Sequence, residues 1–470
     1  MAAVETAAAT PLLFQKADPM SHDVPESTTG TQRPRFGKRS RRAALLGVLG
    51  ASLLTVGVAA FLPPDSPDPV LVGGPQGGVS TLDRAIRTAE AKLAKHQQDP
   101  QTWAELGAAY VEVARAKADP AYFPKAEEAL RKSLAQQPDG NGIALGGMGA
   151  LANARHDFVG ARDWGEKARA ALPDNAEIHG VLNDAYTQLG DTAAATAALQ
   201  RMLDLKPGVS SFTRAAYEFE IHGRVDDARH ALDRALADAV DPGDVAFCRN
   251  LLGELAFDNG DLDTAQSHFE AGQRAVPLET SLQQGKAKVA AARGQTAKAL
   301  AGYQDLVARQ PNVGNLREYA LLLSSSGAPE SAARQYELFE EQRRLEVESG
   351  ANVDLEASLV AADRGDAAQA LRFAQAEWDR RQPVFVADAM AWALHLNGRN
   401  AEALTFADRA ASTGWRSASF AYHRGMILAA LGRPGEAVKA LAEALRVNPN
   451  FSLSDARTAR TTLANLGGAG

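Results

Sequence analysis

The sequence has a single cysteine, Cys248, in 470 residues. One cysteine forms no disulfide within the chain and supplies no cysteine zinc site, and we interpret Cys248 as a small core residue. An excess of basic charge is also missing, because 50 lysines and arginines stand against 57 aspartates and glutamates, for a net charge of −7. This balance argues against a general nucleic-acid-binding protein, whose binding face would be basic.

Motifs for catalysis or cofactor binding are missing as well. The nine histidines are scattered singly, and neither His-Glu-x-x-His, Cys-x-x-Cys nor Gly-x-Ser-x-Gly occurs. The stretch Gly160–Lys167 resembles a phosphate-binding loop superficially, but it has Glu166 where lysine should follow the glycine, and no strand precedes it. We therefore predict a chain that is not an enzyme, with no catalytic residue, no metal site and no cofactor.

The sequence does contain a unit of about 34 residues that repeats through most of the chain. A proline closes successive units: Pro138, Pro173, Pro207, Pro242, Pro277 and Pro311. A turn glycine recurs between them: Gly190, Gly223, Gly260, Gly294, Gly365, Gly398 and Gly432. Five residues beyond each glycine lies an alanine: Ala195, Ala228, Ala265, Ala299, Ala370, Ala403 and Ala437. The spacing predicts two amphipathic helices per unit, which turn at the glycine and approach closely at the alanine.

This unit resembles the tetratricopeptide repeat (TPR). The first unit carries Trp103, Leu106-Gly107 and Tyr110, and the last carries Gly425, Gly432, Ala437, Ala444 and Pro449. The resemblance implies an all-α fold, a TPR superhelical solenoid of helix-turn-helix repeats. We count about ten units between residues 100 and 450, and each would bury its apolar face against its neighbours.

Some segments depart from the repeat. The unit around Gly327 lacks a closing proline, which predicts a long second helix, and the second unit has His156 where the turn glycine is expected. Residues 79–96 are predicted to form a helix before the first unit, and residues 453–466 a capping helix. The predicted solenoid therefore spans residues 80–450, and residues 451–470 form a cap and tail.

The N-terminal region predicts a single transmembrane helix. Residues 43–62 contain no charged residue and are long enough to span a bilayer. The basic cluster before them predicts that residues 1–42 are a disordered cytoplasmic tail, with the repeats outside the cytoplasmic membrane. Residues 63–79, rich in proline and glycine, read as a linker. A cleaved export signal is the alternative, and it places the repeats on the same side.

The resemblance also implies a site, because the first helices of TPR units line a concave groove that commonly binds peptides. Projecting the family's groove positions onto the chain yields two clusters. The middle cluster is Tyr217, Glu220, Phe247, Asn250, Glu254 and Asp258. The C-terminal cluster is Phe385, Asp388, Trp392, His395, Tyr422 and Met426. Aromatic residues with methionine are typical of interfaces, and the acids favour a basic or apolar peptide partner.

The sequence thus predicts a non-catalytic protein–protein interaction scaffold that is tethered to the cytoplasmic membrane and binds peptide or protein partners in its groove. Two alternatives stay open. The solenoid would be an accessory or regulatory subunit of an envelope enzyme complex, or an envelope ligand sensor whose groove takes a small molecule. Fold alone does not choose among them.

Overall fold

The computed structural model describes residues 77–467, and all regular secondary structure in that range is α-helical. Helix α1 (Gly77–Leu93) is followed by ten helical hairpins and by α22 (Asp455–Asn465). Hairpins 1 to 5 are α2 (Pro100–Lys117) and α3 (Tyr122–Gln136), α4 (Gly142–Ala154) and α5 (Phe158–Ala171), α6 (Ala176–Leu189) and α7 (Thr192–Leu205), α8 (Val209–Ile221) and α9 (Val225–Asp238), and α10 (Pro242–Asp258) and α11 (Leu262–Ala275). Hairpins 6 to 10 are α12 (Thr280–Ala292) and α13 (Thr296–Arg309), α14 (Val313–Ser325) and α15 (Pro329–Glu348), α16 (Asp354–Asp363) and α17 (Ala367–Arg380), α18 (Val384–Leu396) and α19 (Asn400–Ala410), and α20 (Ala418–Ala430) and α21 (Pro434–Val447).

The turn within each hairpin follows from its local sequence. All seven predicted turn glycines have positive φ, between 70° and 82°, which ends the first helix in the left-handed conformation. In several hairpins the next residue is an aspartate that caps the second helix, as Asp191 does by accepting the backbone N–H of Ala194. His156 takes the glycine's place in hairpin 2 and has a φ of 58°. The Gly-Asp dipeptide therefore both stops one helix and starts the next.

The two helices of a hairpin approach closely at the predicted alanines. All seven are at most 1% exposed, which confirms the prediction. Glycines allow the same approach on first helices. A Cβ atom added to Gly253 or to Gly285 would lie 2.4 Å from the ring of Phe269, so this one ring fills the space between two neighbouring first helices. The core is a series of such contacts between adjacent hairpins.

The irregular segments follow the predictions with shifted ends. Helix α15 has 20 residues, which confirms the long second helix around Gly327. The helix before the first hairpin is Gly77–Leu93 and not residues 79–96, and the capping helix is Asp455–Asn465 and not residues 453–466. Leu453 lies just before that cap and packs in a cluster with Ala287, Tyr303 and other residues of hairpins 6 and 7.

The predicted transmembrane segment, residues 43–62, lies outside the described residues, as do the tail and nearly all of the linker. Within residues 77–467, no helix combines the length and the apolar character that crossing a bilayer requires.

The hairpins wind into a superhelix whose successive turns touch. We call the line of contact the seam: the turns of hairpins 2 to 5 meet the loops that follow hairpins 7 to 10. Three hydrogen bonds of the seam join residues 196, 193 and 191 positions apart: His156 Nδ1 with the Asn352 carbonyl, Arg381 with Gln188, and Asn448 Nδ2 with the Phe257 carbonyl. The nearly constant separation means that one superhelical turn takes between five and six hairpins. The seam closes the concave face into an internal lumen.

Candidate binding site in the lumen

A cavity of about 410 Å³ lies in the lumen. Its wall comes mainly from the first helices of hairpins 1 to 4 and 6 to 8, so it spans most of one superhelical turn. Val111, Phe123, Phe158 and Val313 supply apolar surface. Arg115 also lines the cavity and is itself exposed, so the cavity opens to solvent. Concave, mainly apolar pockets with a few polar groups are the usual form of a binding site.

Two arginines of the wall are paired with carboxylates. Arg214, whose side chain is 1% exposed, makes two hydrogen bonds of 2.8 Å to Asp184, one to each carboxylate oxygen. Arg115 donates to Glu112 from its Nε and Nη2 atoms, at 3.1 and 3.0 Å. The Arg214 pair is bidentate, whereas both Arg115 donors share the Oε2 atom of Glu112, and two hydrogen bonds in each pair orient both side chains. They also leave these carboxylates with their charge already balanced.

Arg381 lies where the cavity meets the seam. Its guanidinium group is stacked between the rings of Phe158 and Phe385, at 4.6 and 5.1 Å from their centroids. It donates to Glu377 on its own side of the seam and to Gln188 on the other side. The side chain is 3% exposed. Such a group is well suited to hold the two superhelical turns together, because it uses both its ring-stacking face and its in-plane donors.

Some carboxylates of the wall form no ion pair within the described residues, and two of them act on each other. Glu346 and Glu356 both line the cavity, and neither forms an ion pair with a residue in the described part of the chain. Burial, together with the neighbouring charge of Glu356, raises the pKa of Glu346 to about 7. Burial also raises the pKa of Glu356, although His156 and Arg381 oppose the shift. Burial disfavours the charged form of both acids, and a nearby positive charge would stabilise that form.

A second acidic group surrounds Lys288, which is fully buried. Lys288 Nζ lies 2.5 Å from Glu254 Oε2, and nearby Glu318 accepts hydrogen bonds from Tyr303 and Gln284. The predicted groove residues Glu220 and Asp258 belong to this group. Burial and the charges of its acidic neighbours raise the pKa of Glu220 to about 8. Burial also raises the pKa of Asp258 to about 7, against the lowering effect of Lys288.

The rest of the middle cluster divides between cavity and packing. Tyr217 lines the cavity and meets the ring of Trp415 edge-on across the seam, with centroids 6.2 Å apart. Phe247 is partly buried. Asn250 is also partly buried, and its Oδ1 atom is enclosed without a hydrogen-bond partner. Tyr217 is thus the member that the structure places in the cavity wall, while Glu220, Glu254 and Asp258 form the polar group beside it.

The C-terminal cluster is assembled around a histidine that the sequence analysis did not select. His423 is buried, contacts both carboxylate oxygens of Asp388 at 3.0 and 2.9 Å, and stacks on Trp392 with ring centroids 4.3 Å apart. Burial disfavours the charged imidazolium, but Asp388 outweighs this effect and raises the pKa of His423. His395 also stacks on Trp392, with ring centroids 5.0 Å apart.

The other members of this cluster are mainly packing residues. Tyr422 is 2% exposed and packs on Phe451, and Met426 is partly buried against the same core. Phe385 is partly buried beside Leu355 and contacts Arg381. Tyr422 therefore presents little surface to a partner. A role in binding stays a prediction for all twelve projected residues.

Sequence reasoning missed the residues that define the cavity chemistry. Arg381 and Glu356 become neighbours of hairpins 2 and 3 only through the seam, which no repeat pattern encodes. Glu346 falls in the extension of α15, which the sequence marked only as a long helix. Within residues 77–467, no set of three or more His, Cys, Asp and Glu side chains is arranged to hold a metal ion.

The fold and the lumen define a class of protein, a closed solenoid of helical hairpins. Residues 418–451, which form hairpin 10, match the family model of the tetratricopeptide repeat. This match and the hairpin geometry shared by the other nine support a TPR protein. No curated protein matches the chain.

Several solved structures are similar to the chain. A tetratricopeptide repeat protein from Parabacteroides merdae aligns over 55% of this chain and 98% of its own, at 17% identity and a TM-score of 0.34. A thermophilic TPR protein from Thermus thermophilus aligns over 42% of this chain and 99% of its own, at 20% identity and a TM-score of 0.35. A human IFIT1 dimer with m7Gppp-AAAA aligns over 72% of this chain and 79% of its own, at 16% identity and a TM-score of 0.45.

Proposed function

We propose that the protein is a non-catalytic interaction scaffold whose lumen takes a segment of a protein partner. The observation that supports this most strongly is the cavity, which collects residues of seven hairpins around one space. Its apolar walls and buried, fixed charges would supply burial energy and selectivity together. A partner that is itself an enzyme would make the chain an accessory or regulatory subunit.

Site-specific photocrosslinking in intact cells tests the proposal. A benzoylphenylalanine at Thr187, which lines the cavity, should trap a defined protein. The same residue at Leu338, an exposed position on a second helix, is the matched control and should not trap it. Thr187→Trp, combined with a crosslinker at Tyr217, should abolish the adduct because the indole occupies the cavity. A protein trapped equally from Leu338, or one that is indifferent to the added indole, would count against luminal binding.

A small molecule is the second candidate for the lumen. The cavity volume of about 410 Å³ lies within the range of about 300–1,000 Å³ that is usual for small-ligand sites. The scaffold would then be a ligand sensor. Native mass spectrometry of the full chain purified from its source discriminates between the two. A bound small molecule that Thr187→Trp displaces favours the sensor, whereas a protein adduct at Thr187 favours the scaffold.

We also propose that residues 43–62 tether the chain to the cytoplasmic membrane, with the repeats outside. The uncharged 20-residue run and the basic residues before it support this orientation. Alkaline extraction of membranes should leave the full-length chain in the pellet, and external protease should digest the repeats in spheroplasts. A shortened, extractable product would instead identify a cleaved export signal.

A further inference from the structure

The charges on the cavity wall do not balance. Six carboxylates but only three guanidinium groups line it. The three arginines are already committed, because Arg115 and Arg214 pair with Glu112 and Asp184, and Arg381 donates to Glu377. The cavity therefore presents negative charge beyond what its own cations offset. The cavity is partly shielded from water by its apolar wall, and this shielding strengthens interactions with that charge.

The excess lies at one place on the wall. Glu318 is beside Lys288 and accepts two hydrogen bonds, and Asp119 accepts a backbone N–H at 3.0 Å. Glu356 makes no ion pair with a described residue, and Glu346 receives only a 3.4 Å hydrogen bond from Gln342. Glu346 and Glu356 are thus the carboxylates that remain available to a ligand.

Asn153 gives independent support for a ligand that carries donors. Its side chain lines the cavity and is 9% exposed. Its Nδ2 atom donates to the Val181 carbonyl at 3.0 Å, whereas its buried Oδ1 atom has no hydrogen-bond partner. A buried acceptor without a partner is costly, and a ligand that donates a hydrogen bond to it would remove that cost.

The same wall argues for an organic cation and against a metal ion. A metal ion would need three or more suitable ligands, and no such set occurs in the range that the structure describes. Phe123, Phe158 and Val111 offer apolar surface for methylene groups beside the acids. A guanidinium or ammonium group on a short aliphatic stem satisfies both features, with its stem on the apolar wall and its head at the carboxylates.

We propose that the luminal cavity binds an organic cation, a guanidinium or ammonium group on a short apolar stem, at Glu346 and Glu356. The inference rests on the proposed function, in which a partner's segment enters the lumen, and it identifies the arginine or lysine side chain that the cavity would take. A free aliphatic amine is the other source of the same chemistry.

Calorimetric titration of the full-length chain with chosen probes tests this. Agmatine represents the free amine, and the capped tripeptide acetyl-Ala-Arg-Ala-amide represents a partner's side chain. The corresponding citrulline tripeptide is the neutral isostere. The titrations are run at pH 8, where Glu346 is largely ionised, because its pKa is about 7. We expect saturable binding of at least one cationic probe and at least tenfold weaker binding of the citrulline peptide.

Variants locate the site. Glu356→Gln should weaken binding of the cationic probe at least tenfold. The thermal stability of the variant should be equal or higher, because the change removes a buried charge that forms no ion pair with a described residue. Glu341→Gln, an exposed acid on the same helix as Glu346, should leave the affinity unchanged. If agmatine binds and the arginine peptide does not, the ligand of the cavity is a free amine. If the arginine peptide binds, the ligand is a side chain of a partner protein.

Failure of this inference is distinguishable from failure of the scaffold. If neither cationic probe binds, if citrulline binds equally, or if Glu356→Gln keeps full affinity, the cation site is overturned. A protein adduct at Thr187 would still stand in each of those cases, because crosslinking does not depend on the charge of the bound segment.

Discussion

The polar group beside the cavity brings carboxylates of hairpins 4, 5 and 7 around one lysine of hairpin 6. Lys288 pairs with Glu254 and also attracts Asp258 and Glu318. The charges that act on Glu220 are the negative charges of Asp258 and Glu254. Trp415, from across the seam, opposes part of the rise in the pKa of Glu220. Glu220 is therefore the member whose ionisation is least compensated, and its protonation state should be visible in the stability of the fold.

We expect Glu220→Gln to change how stability depends on pH. The pKa of Glu220 is raised from 4.5 in an unperturbed chain to about 8 in the fold. The stabilising effect of its proton is fully present below pH 4.5 and is lost as the pH rises through 8. The glutamine cannot ionise, so the variant should lose less stability between pH 5.5 and 8.5, by about 3 kcal/mol. Denaturant unfolding at these two pH values measures the difference.

A surface control separates this effect from a general change of charge. Glu402 is exposed, and a hydrogen bond from Arg399 lowers its pKa. Glu402→Gln should not reproduce the flattening seen with Glu220→Gln. If the unfolding free energies of wild type and Glu220→Gln change by the same amount between the two pH values, the assigned pKa of Glu220 is wrong.

At some helix positions, the close packing of neighbouring helices determines which residue is most stable, and helix propensity matters less. Gly253 lies in the middle of α10, where alanine would normally favour the helix by about 1 kcal/mol. Its added methyl group would lie 2.4 Å from the buried ring of Phe269. We expect Gly253→Ala to lower the free energy of unfolding by about 1–3 kcal/mol, because the ring would have to move in a filled core.

Gly435 in α21 is the matched control for that substitution. An added methyl group there would meet no atom within 4 Å, so Gly435→Ala should raise stability slightly through helix propensity alone. Chemical denaturation of both variants gives the two signs. Stabilisation by Gly253→Ala would mean that Phe269 does not fill the space between the two first helices.

The sequence predicted elements better than it predicted their long-range contacts, for a physical reason. The turn glycines and the alanines five residues later report steric needs within one hairpin, so a local pattern reveals them. Phe269 also falls at a repeated position. The pairing of Arg381 with Gln188 joins residues 193 positions apart and depends on the superhelical pitch. That pitch is the sum of small rotations between hairpins, which a repeat pattern leaves open.

The projected groove residues show the same division. Tyr217, one of the projected residues, lines the cavity, because the direction of a side chain follows from its place in the helix. The projection does not reveal that Lys288 neutralises Glu254, or that His423 is paired with Asp388. The seam decides whether these residues are exposed in an open groove or buried in a closed lumen. The charged residues that face a ligand can therefore be identified only from the complete fold.

For the whole molecule, the seam converts a chain of nearest-neighbour contacts into a structure with long-range coupling. An open solenoid gains stability hairpin by hairpin. Here Asn448 in the C-terminal part donates to the Phe257 carbonyl in hairpin 5, and Asn352 meets both Arg155 and His156 in hairpin 2. Unfolding at one end should thus weaken the other end, and the lumen exists only while the seam is closed.

Gly223 tests the seam directly. It is a turn glycine with a φ of 71°, and a Cβ atom added to it would lie 2.3 Å from the carbonyl oxygen of Gly414, one superhelical turn later. Gly398 has a φ of 74° and no atom within 4 Å of its added Cβ. Alanine at either site costs about 1 kcal/mol for the left-handed backbone. Only Gly223→Ala must also displace the facing loop.

We therefore expect Gly223→Ala to be less stable than Gly398→Ala by at least about 1 kcal/mol. Amide hydrogen exchange in Gly223→Ala should be faster in the 411–416 loop and in the neighbouring seam contact, which hairpin 3 makes. Gly398→Ala should leave exchange in that loop unchanged. Because the cavity wall includes both Tyr217, near the altered turn, and Arg381, in the seam, Gly223→Ala should also weaken any luminal ligand. Equal stability and equal exchange for the two variants would mean that the superhelical turns are not in contact in solution, and that the lumen is an open groove.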